Sequence, residues 1–159
     1  RTKFPAFVLA PQFENRPTLY AENKDFGIIT ANPQPNLQTL MQLIETMAKN
    51  PQVDTTRIYL IGYSMGGSTA QHLLSFRPNL FTAPISIAGV PDFANLAKIK
   101  HKPIWIIHGR KDDENPFSGS NKLFELLKGN SKIRFTIYEN LDHNTITYPL
   151  LATDELAKW

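Results

Sequence analysis

Three features of this 159-residue chain point to an α/β domain with a doubly wound, mostly parallel sheet. Short runs rich in β-branched and aromatic residues alternate with segments of helical period. The runs are apolar at successive positions, as strands buried on both faces must be. Each gives way to a loop and usually to a helix. The composition, 42% hydrophobic and 19% charged, describes one globular domain over residues 1–159 and excludes a disordered chain.

Taken in order, Phe7 to Ala10 is the first predicted strand. The stretch Pro11 to Pro35, carrying Pro11, Pro17, Pro33 and Pro35, reads as a long loop, and loops of that length in compact domains are often functional. Leu37, Leu40, Met41, Ile44, Met47 and Ala48 then recur at helical spacing, predicting a helix from Asn36 to Asn50 that Pro51 stops. Arg57 to Tyr63 is the second strand and Met65 to Phe76 the helix after it. Pro84 to Gly89 is the third strand, with a short helix at Phe93 to Ile99. Pro103 to His108 is the fourth, followed by a helix from Phe117 to Lys128. Lys132 to Glu139 is the fifth, and Pro149 to Trp159 closes the chain as a helix.

Several function classes fall away on composition. Lys plus Arg exceeds Asp plus Glu by only three charges. The one basic cluster, Lys98-Ile99-Lys100-His101-Lys102, precedes the fourth strand and reads as a solvated loop, so no nucleic-acid footprint is evident. No apolar run approaches the roughly 20 residues of a membrane span. The absence of Cys removes thiolate metal sites, disulfides and Cys nucleophiles together. No paired-His zinc motif, phosphate-cradling loop or nucleotide fingerprint occurs, and no metal site is expected. The chain opens on Arg1 with no targeting segment behind it, which predicts an N-terminus that was cut or processed.

The chemistry concentrates at Gly62-Tyr63-Ser64-Met65-Gly66-Gly67, a G-x-S-x-G sequence between a predicted strand and a predicted helix. A nucleophilic Ser in so sharp a turn needs small neighbours, and Gly62 and Gly66 are expected to remove side chains that would collide. Ser64 then stands at a helix N-terminus, where the macrodipole favours an oxyanion and the Met65 N–H can donate to it. A hydroxyl needs a base and the base an orienting acid. The loop after the fourth strand supplies Asp112 as acid, with Asp113, Glu114 and Asp142 as alternatives. The loop after the fifth supplies His143 as base. Both lie at the sheet edge that Ser64 occupies. His143 would take the Ser64 proton and deliver it to the leaving group, while Asp112 fixes the imidazole tautomer. Activity should therefore fall with pH as the imidazole becomes protonated. His72, inside a helix, and His108, at a strand end, read as structural. Phe13, Tyr63 and Phe117 are candidates for lining a substrate pocket, beside Tyr20 and Phe26.

Four segments carry a family resemblance: Phe4-Pro5-Ala6-Phe7-Val8-Leu9-Ala10-Pro11-Gln12, Arg57 to Gly67, Pro103 to Gly109 with Asp112, and the His143 loop. On these the chain resembles the α/β-hydrolase superfamily, in its branch of predicted peptidases and carboxylesterases similar to polyhydroxybutyrate depolymerase and feruloyl esterase domains. The resemblance implies hydrolysis of a small-molecule ester through an acyl-enzyme, without cofactor, with Ser64, Asp112 and His143 at the triad positions. An amide-cleaving peptidase is its near alternative. A catalytically silent scaffold that binds a ligand or partner chain is the other. It also favours a secreted or periplasmic location.

The departure lies at the start. Relatives carry earlier strands and a His-Gly-rich loop that donates a second oxyanion N–H, and neither is in this sequence. The expectation is thus an N-terminally incomplete fold with half an oxyanion hole and an open sheet edge. That edge would be filled by a lost N-terminal part, by a homo-oligomer or complementing chain, or by the sheet closing up.

Overall fold

A computed structural model describes residues 6–159, so Phe4 and Pro5 of the first resembling segment lie outside the described residues. Its centre is a four-stranded, all-parallel sheet in the order β3-β4-β5-β6, formed by Tyr59–Tyr63, Ala83–Ile87, Ile104–Gly109 and Ile133–Tyr138. Between and around these run α1 (Asn36–Met47), α2 (Met65–Phe76), α3 (Leu96–Ile99), α4 (Phe117–Leu127), α5 (Thr147–Leu151) and α6 (Glu155–Lys158). Every β4 and β5 residue is buried, as the continuous apolar runs required.

Strand alternation sorts the core into two layers. Ile104 and Ile106 of β5 face Leu37, Leu40 and Met41 of α1, Leu73 and Leu74 of α2, and Leu123 and Leu127 of α4. Trp105 and Ile107 point the other way, with Ile85 and Ile87 of β4, against Ile146 and Leu150, and Leu156 and Trp159 complete that layer. Helices thus cover both sheet faces. The predicted final helix is two short ones, because Ala152 to Asp154 break it and Arg134 of β6 pairs there with Glu155.

Two expectations are corrected. Phe7 to Ala10 forms no strand: Phe7, Val8 and Leu9 stand exposed, with Val8 86% accessible. Extended apolar residues become a strand only where a neighbour takes their backbone hydrogen bonds. Among the described residues none does so here, and none pairs with the outer edge of β3. The sheet therefore does not close up on this segment. On one face β3 shows Tyr59, Ile61 and Tyr63, all exposed. The stretch Pro11 to Pro35, expected as a loop, contains an antiparallel hairpin, β1 (Thr18–Asn23) with β2 (Ile28–Pro33). Its turn is made by the Asn23 carboxamide, whose Oδ1 accepts the Asp25 and Phe26 N–H groups, and by Gly27 at φ +63°. The hairpin docks through polar contacts, Thr18 to Thr69 and Tyr20 to Ser68 of α2, and the Ala31 N–H to the Pro91 carbonyl.

Candidate active site

Ser64 links β3 to α2 at φ 55°, ψ −122°, a backbone conformation that L-residues rarely hold. The turn persists because its surroundings determine it. The Ser64 N–H donates to the Ile87 carbonyl at 2.8 Å, and the N–H groups of Gly67 and Ser68 turn back onto the Ser64 carbonyl. A Cβ on Gly62 would fall 2.0 Å from the Gly66 carbonyl oxygen, so only glycine fits. Gly66, expected to be equally constrained, has nothing within 4 Å of such a Cβ. The second tight approach is instead at Gly67, which packs on the Ile87 carbonyl and Ser86. The reason is direction: at the first helical turn Gly66 faces outward while Gly67 faces β4. The Met65 N–H is the first of α2, among those that a helix leaves without an internal acceptor.

His143 follows β6 and Asp112 follows β5. Their loops are held together where Gly109 passes so close to the Leu141 carbonyl that a Cβ would sit 2.2 Å away, and where the Lys111 N–H bonds that carbonyl. His143 Nε2 lies 2.9 Å from Ser64 Oγ, and its Nδ1 lies 2.8 Å from Asp112 Oδ2. With Nδ1–H donating to the carboxylate, Nε2 is free to accept the hydroxyl proton. The other acids stand elsewhere. Asp113 is exposed, Glu114 reaches only 4.0 Å from Nε2 at the rim, and Asp142 accepts the Asn144 and Thr145 N–H groups of its own turn.

Asp112 takes more donors than the sequence suggested. His108, read as structural, places Nε2 3.1 Å from the same Oδ2, while Oδ1 accepts the N–H groups of Glu114 and Asn115. Burial pushes the Asp112 carboxyl up. The hydrogen bonds from His108, His143 and the Asn115 N–H outweigh it and leave the pKa below the ordinary value. His108 was missed because a His before Gly at a strand end has no distinctive pattern; its four-residue spacing to Asp112 was the available signal. Its Nδ1 meets Ser120 Oγ at 2.7 Å, so both ring nitrogens are engaged.

The three pocket candidates separate. Tyr63 donates its hydroxyl to the His143 carbonyl at 2.8 Å and lays its ring beside the imidazole, 5.1 Å between centroids. Burial, with the Glu114 and Asp112 charges, raises its pKa, which keeps the phenol a donor. Phe13 lines a hollow of about 300 Å³ with Met65 and the chain from Pro11 to Pro17. Phe117 stacks on Phe135 under the Arg110 guanidinium, its surface taken up by packing. His72 is wholly buried against Asp92, and His101 is exposed, as expected.

Sheet, elbow and the order of the loops are those of the α/β-hydrolase class. Within that class, the model of the Dienelactone hydrolase family matches residues 8–147, and the chain belongs to that family. It is 36% identical over 76 residues to the bifunctional acetylxylan esterase/xylanase XynS20E of Neocallimastix patriciarum, covering 48% of this chain and 11% of that protein. Among solved structures it is similar to a thermostable esterase, with TM-score 0.71 and 30% identity over 80% of this chain and 36% of the other. Acyl-protein thioesterase 2 of Zea mays shares the fold at TM-score 0.65 and 18% identity, over 90% of this chain and 70% of that one. The chain thus spans about a third of the thermostable esterase and a ninth of the curated relative. No helix among the described residues is long and apolar enough to cross a membrane.

Proposed function

We propose that the chain is a serine hydrolase acting on carboxylic esters of small molecules through Ser64, His143 and Asp112. The observation that carries this is the continuous hydrogen-bonded path from Ser64 Oγ through His143 to Asp112, set on a positive-φ turn at a helix N-terminus. His143 Nε2 takes the hydroxyl proton as Oγ bonds the ester carbon. The tetrahedral oxyanion is met by the Met65 N–H and the α2 dipole. His143 then returns the proton to the leaving alcohol, and water attacks the acyl-enzyme with the same base. Asp112 holds the imidazole tautomer and offsets its charge. Phe13 and the hollow beside Met65 receive one arm of the substrate, and Tyr63 keeps the His143 loop in register. The esterase relatives favour an ester over an amide, and hydrolysis of an ester but not its amide analogue is the expected outcome.

Intact mass before and after a fluorophosphonate tests this. A single adduct on Ser64, absent in Ser64→Ala, is expected; equal labelling or hydrolysis by Ser64→Ala would overturn the assignment. One feature favours a second reading, a silent scaffold that binds a partner chain along β3: among the described residues that edge is unpaired, and residues 1–159 hold no His-Gly-rich loop of the kind that donates a second oxyanion N–H. Loss of one such donor costs roughly 10² to 10³ in turnover, so slow labelling fits an enzyme and no labelling fits the scaffold.

A further inference from the structure

The acid loop carries a residue with no part in the three-residue scheme, yet it touches most of the scheme's members. Asn115 is buried, 4% accessible, and lies three residues beyond Asp112. Its backbone N–H donates to Asp112 Oδ1 at 2.8 Å, and its carbonyl accepts from His108 Nε2 at 2.8 Å. Its side-chain Nδ2 donates to the Ala88 carbonyl at 2.7 Å and faces Ser64 Oγ at 3.5 Å. Pro116 follows it and disfavours the helical region for its backbone.

The Ala88 contact matters because of what Ala88 is. With Ser64 it is one of two non-glycine residues at positive φ among the described residues, at +49°, and it follows β4 directly after Ile87, whose carbonyl receives the Ser64 N–H. Nδ2 therefore ties the acid loop to the same strained corner from which the serine turn hangs. An amide is planar, so anchoring Nδ2 at 2.7 Å on the Ala88 carbonyl limits how the group can turn, and in that position Nδ2 lies 3.5 Å from Oγ. Among the described residues the hydroxyl has His143 Nε2 at 2.9 Å, which can accept its proton, and the Asn115 amide at 3.5 Å on another side.

We propose that Asn115 is a positioning residue of this site, which sets the angle at which Ser64 Oγ meets His143 and transmits the acid loop's position to the nucleophile. The inference rests on the proposed roles of Ser64, His143 and Asp112. When the Oγ–H bond breaks, the proton passes to Nε2 and the Oγ–carbon bond forms; the Asn115 N–H stays beside an oxygen carrying partial negative charge. The same donor is in place when Oγ departs with its electron pair in deacylation and recovers a proton from His143. The long apo contact shortens as charge develops.

The experiment compares wild type with Asn115→Leu and Asn115→Asp, using a fluorophosphonate for labelling rate and 4-nitrophenyl acetate for kcat, KM and pH profile. Asn115→Leu, which keeps the volume and removes both donors, is expected to lower kcat and the labelling rate roughly 10- to 100-fold with KM within about twofold, as for a misaligned nucleophile. Asn115→Asp is expected to move the acid limb of the profile to higher pH, because a carboxylate beside the site favours the imidazolium. Folded variants that label within twofold of wild type with an unmoved profile would overturn the proposal. Should neither variant fold, wild type decides: in ¹⁵N-labelled protein, phosphonylation of Ser64 should shift the Asn115 side-chain amide resonances, and unmoved resonances overturn the proposal. If wild type takes no adduct at Ser64, the nucleophile assignment fails and this inference falls with it. If wild type is labelled while the Asn115 variants match it, the inference alone fails.

Discussion

Gly62 and Gly66 flank the same serine, and only one of them is irreplaceable. Gly62→Ala forces a Cβ onto a backbone oxygen at 2.0 Å, and neither partner is a flexible side chain. We expect a loss of about 3 kcal/mol or more in urea denaturation. Gly66→Ala meets open space in a helix and should leave stability unchanged or raise it by up to about 1 kcal/mol. The motif pattern treats these positions alike; the sequence does not say which glycine faces the neighbouring strand. At the same scale, Asp112→Asn removes the charge that fixes the His143 tautomer, and kcat should fall on the order of 10⁴-fold with KM little changed. The order Ser64, Asp112, His143 was legible because each follows a strand end marked by an apolar run. The donors His108 and Asn115 were not, since their roles depend on which side chains the loops fold together.

The elements divide along a similar line. The strands at 59–63, 83–87, 104–109 and 133–138 were readable to within two residues or so: β4 and β5 because burial on both faces imposes an uninterrupted apolar signal, β3 and β6 from their β-branched and aromatic content, although β3 is exposed on one face. The helix α1 was readable from its spacing. The hairpin β1–β2 was not, because it is held by hydroxyl contacts and carries mixed polarity, although Asn23 and Gly27 around its turn were a usable cue. Phe7 to Ala10 shows the converse: strand-like composition without a partner gives no strand. For the helices, Leu74 is inaccessible in the last turn of α2, and Leu74→Ala should cost about 2–5 kcal/mol, measured as a shifted urea midpoint at constant slope. The hairpin, docked by hydroxyls, should open locally at lower urea than the sheet, seen as earlier hydrogen exchange at Leu19 than at Ile106.

For the molecule as a whole, two buried carboxylates link folding to pH. Burial raises both, but hydrogen bonds from His108 and His143 hold Asp112 below its ordinary value, and those from His72 and Asn95 do so for Asp92. A depressed folded pKa contributes stability above the unfolded value, about 3.9, which is lost as pH falls through the folded one. The urea midpoint should therefore drop below about pH 4, and Asp92→Asn should flatten part of that fall. The exposed Tyr59, Ile61 and Tyr63, beside an edge unpaired among the described residues, predict self-association, and Ile61→Lys should lower the molar mass seen in light scattering. Among the described residues β5 is flanked on both sides and wholly buried, whereas Ser64 follows β3, an edge strand of the sheet. The proposed nucleophile thus sits at a rim of the sheet, away from its most buried strand. Whatever stiffens or loosens the rim will be felt first by the hydroxyl, so its labelling rate can serve as a gauge of the rim's order.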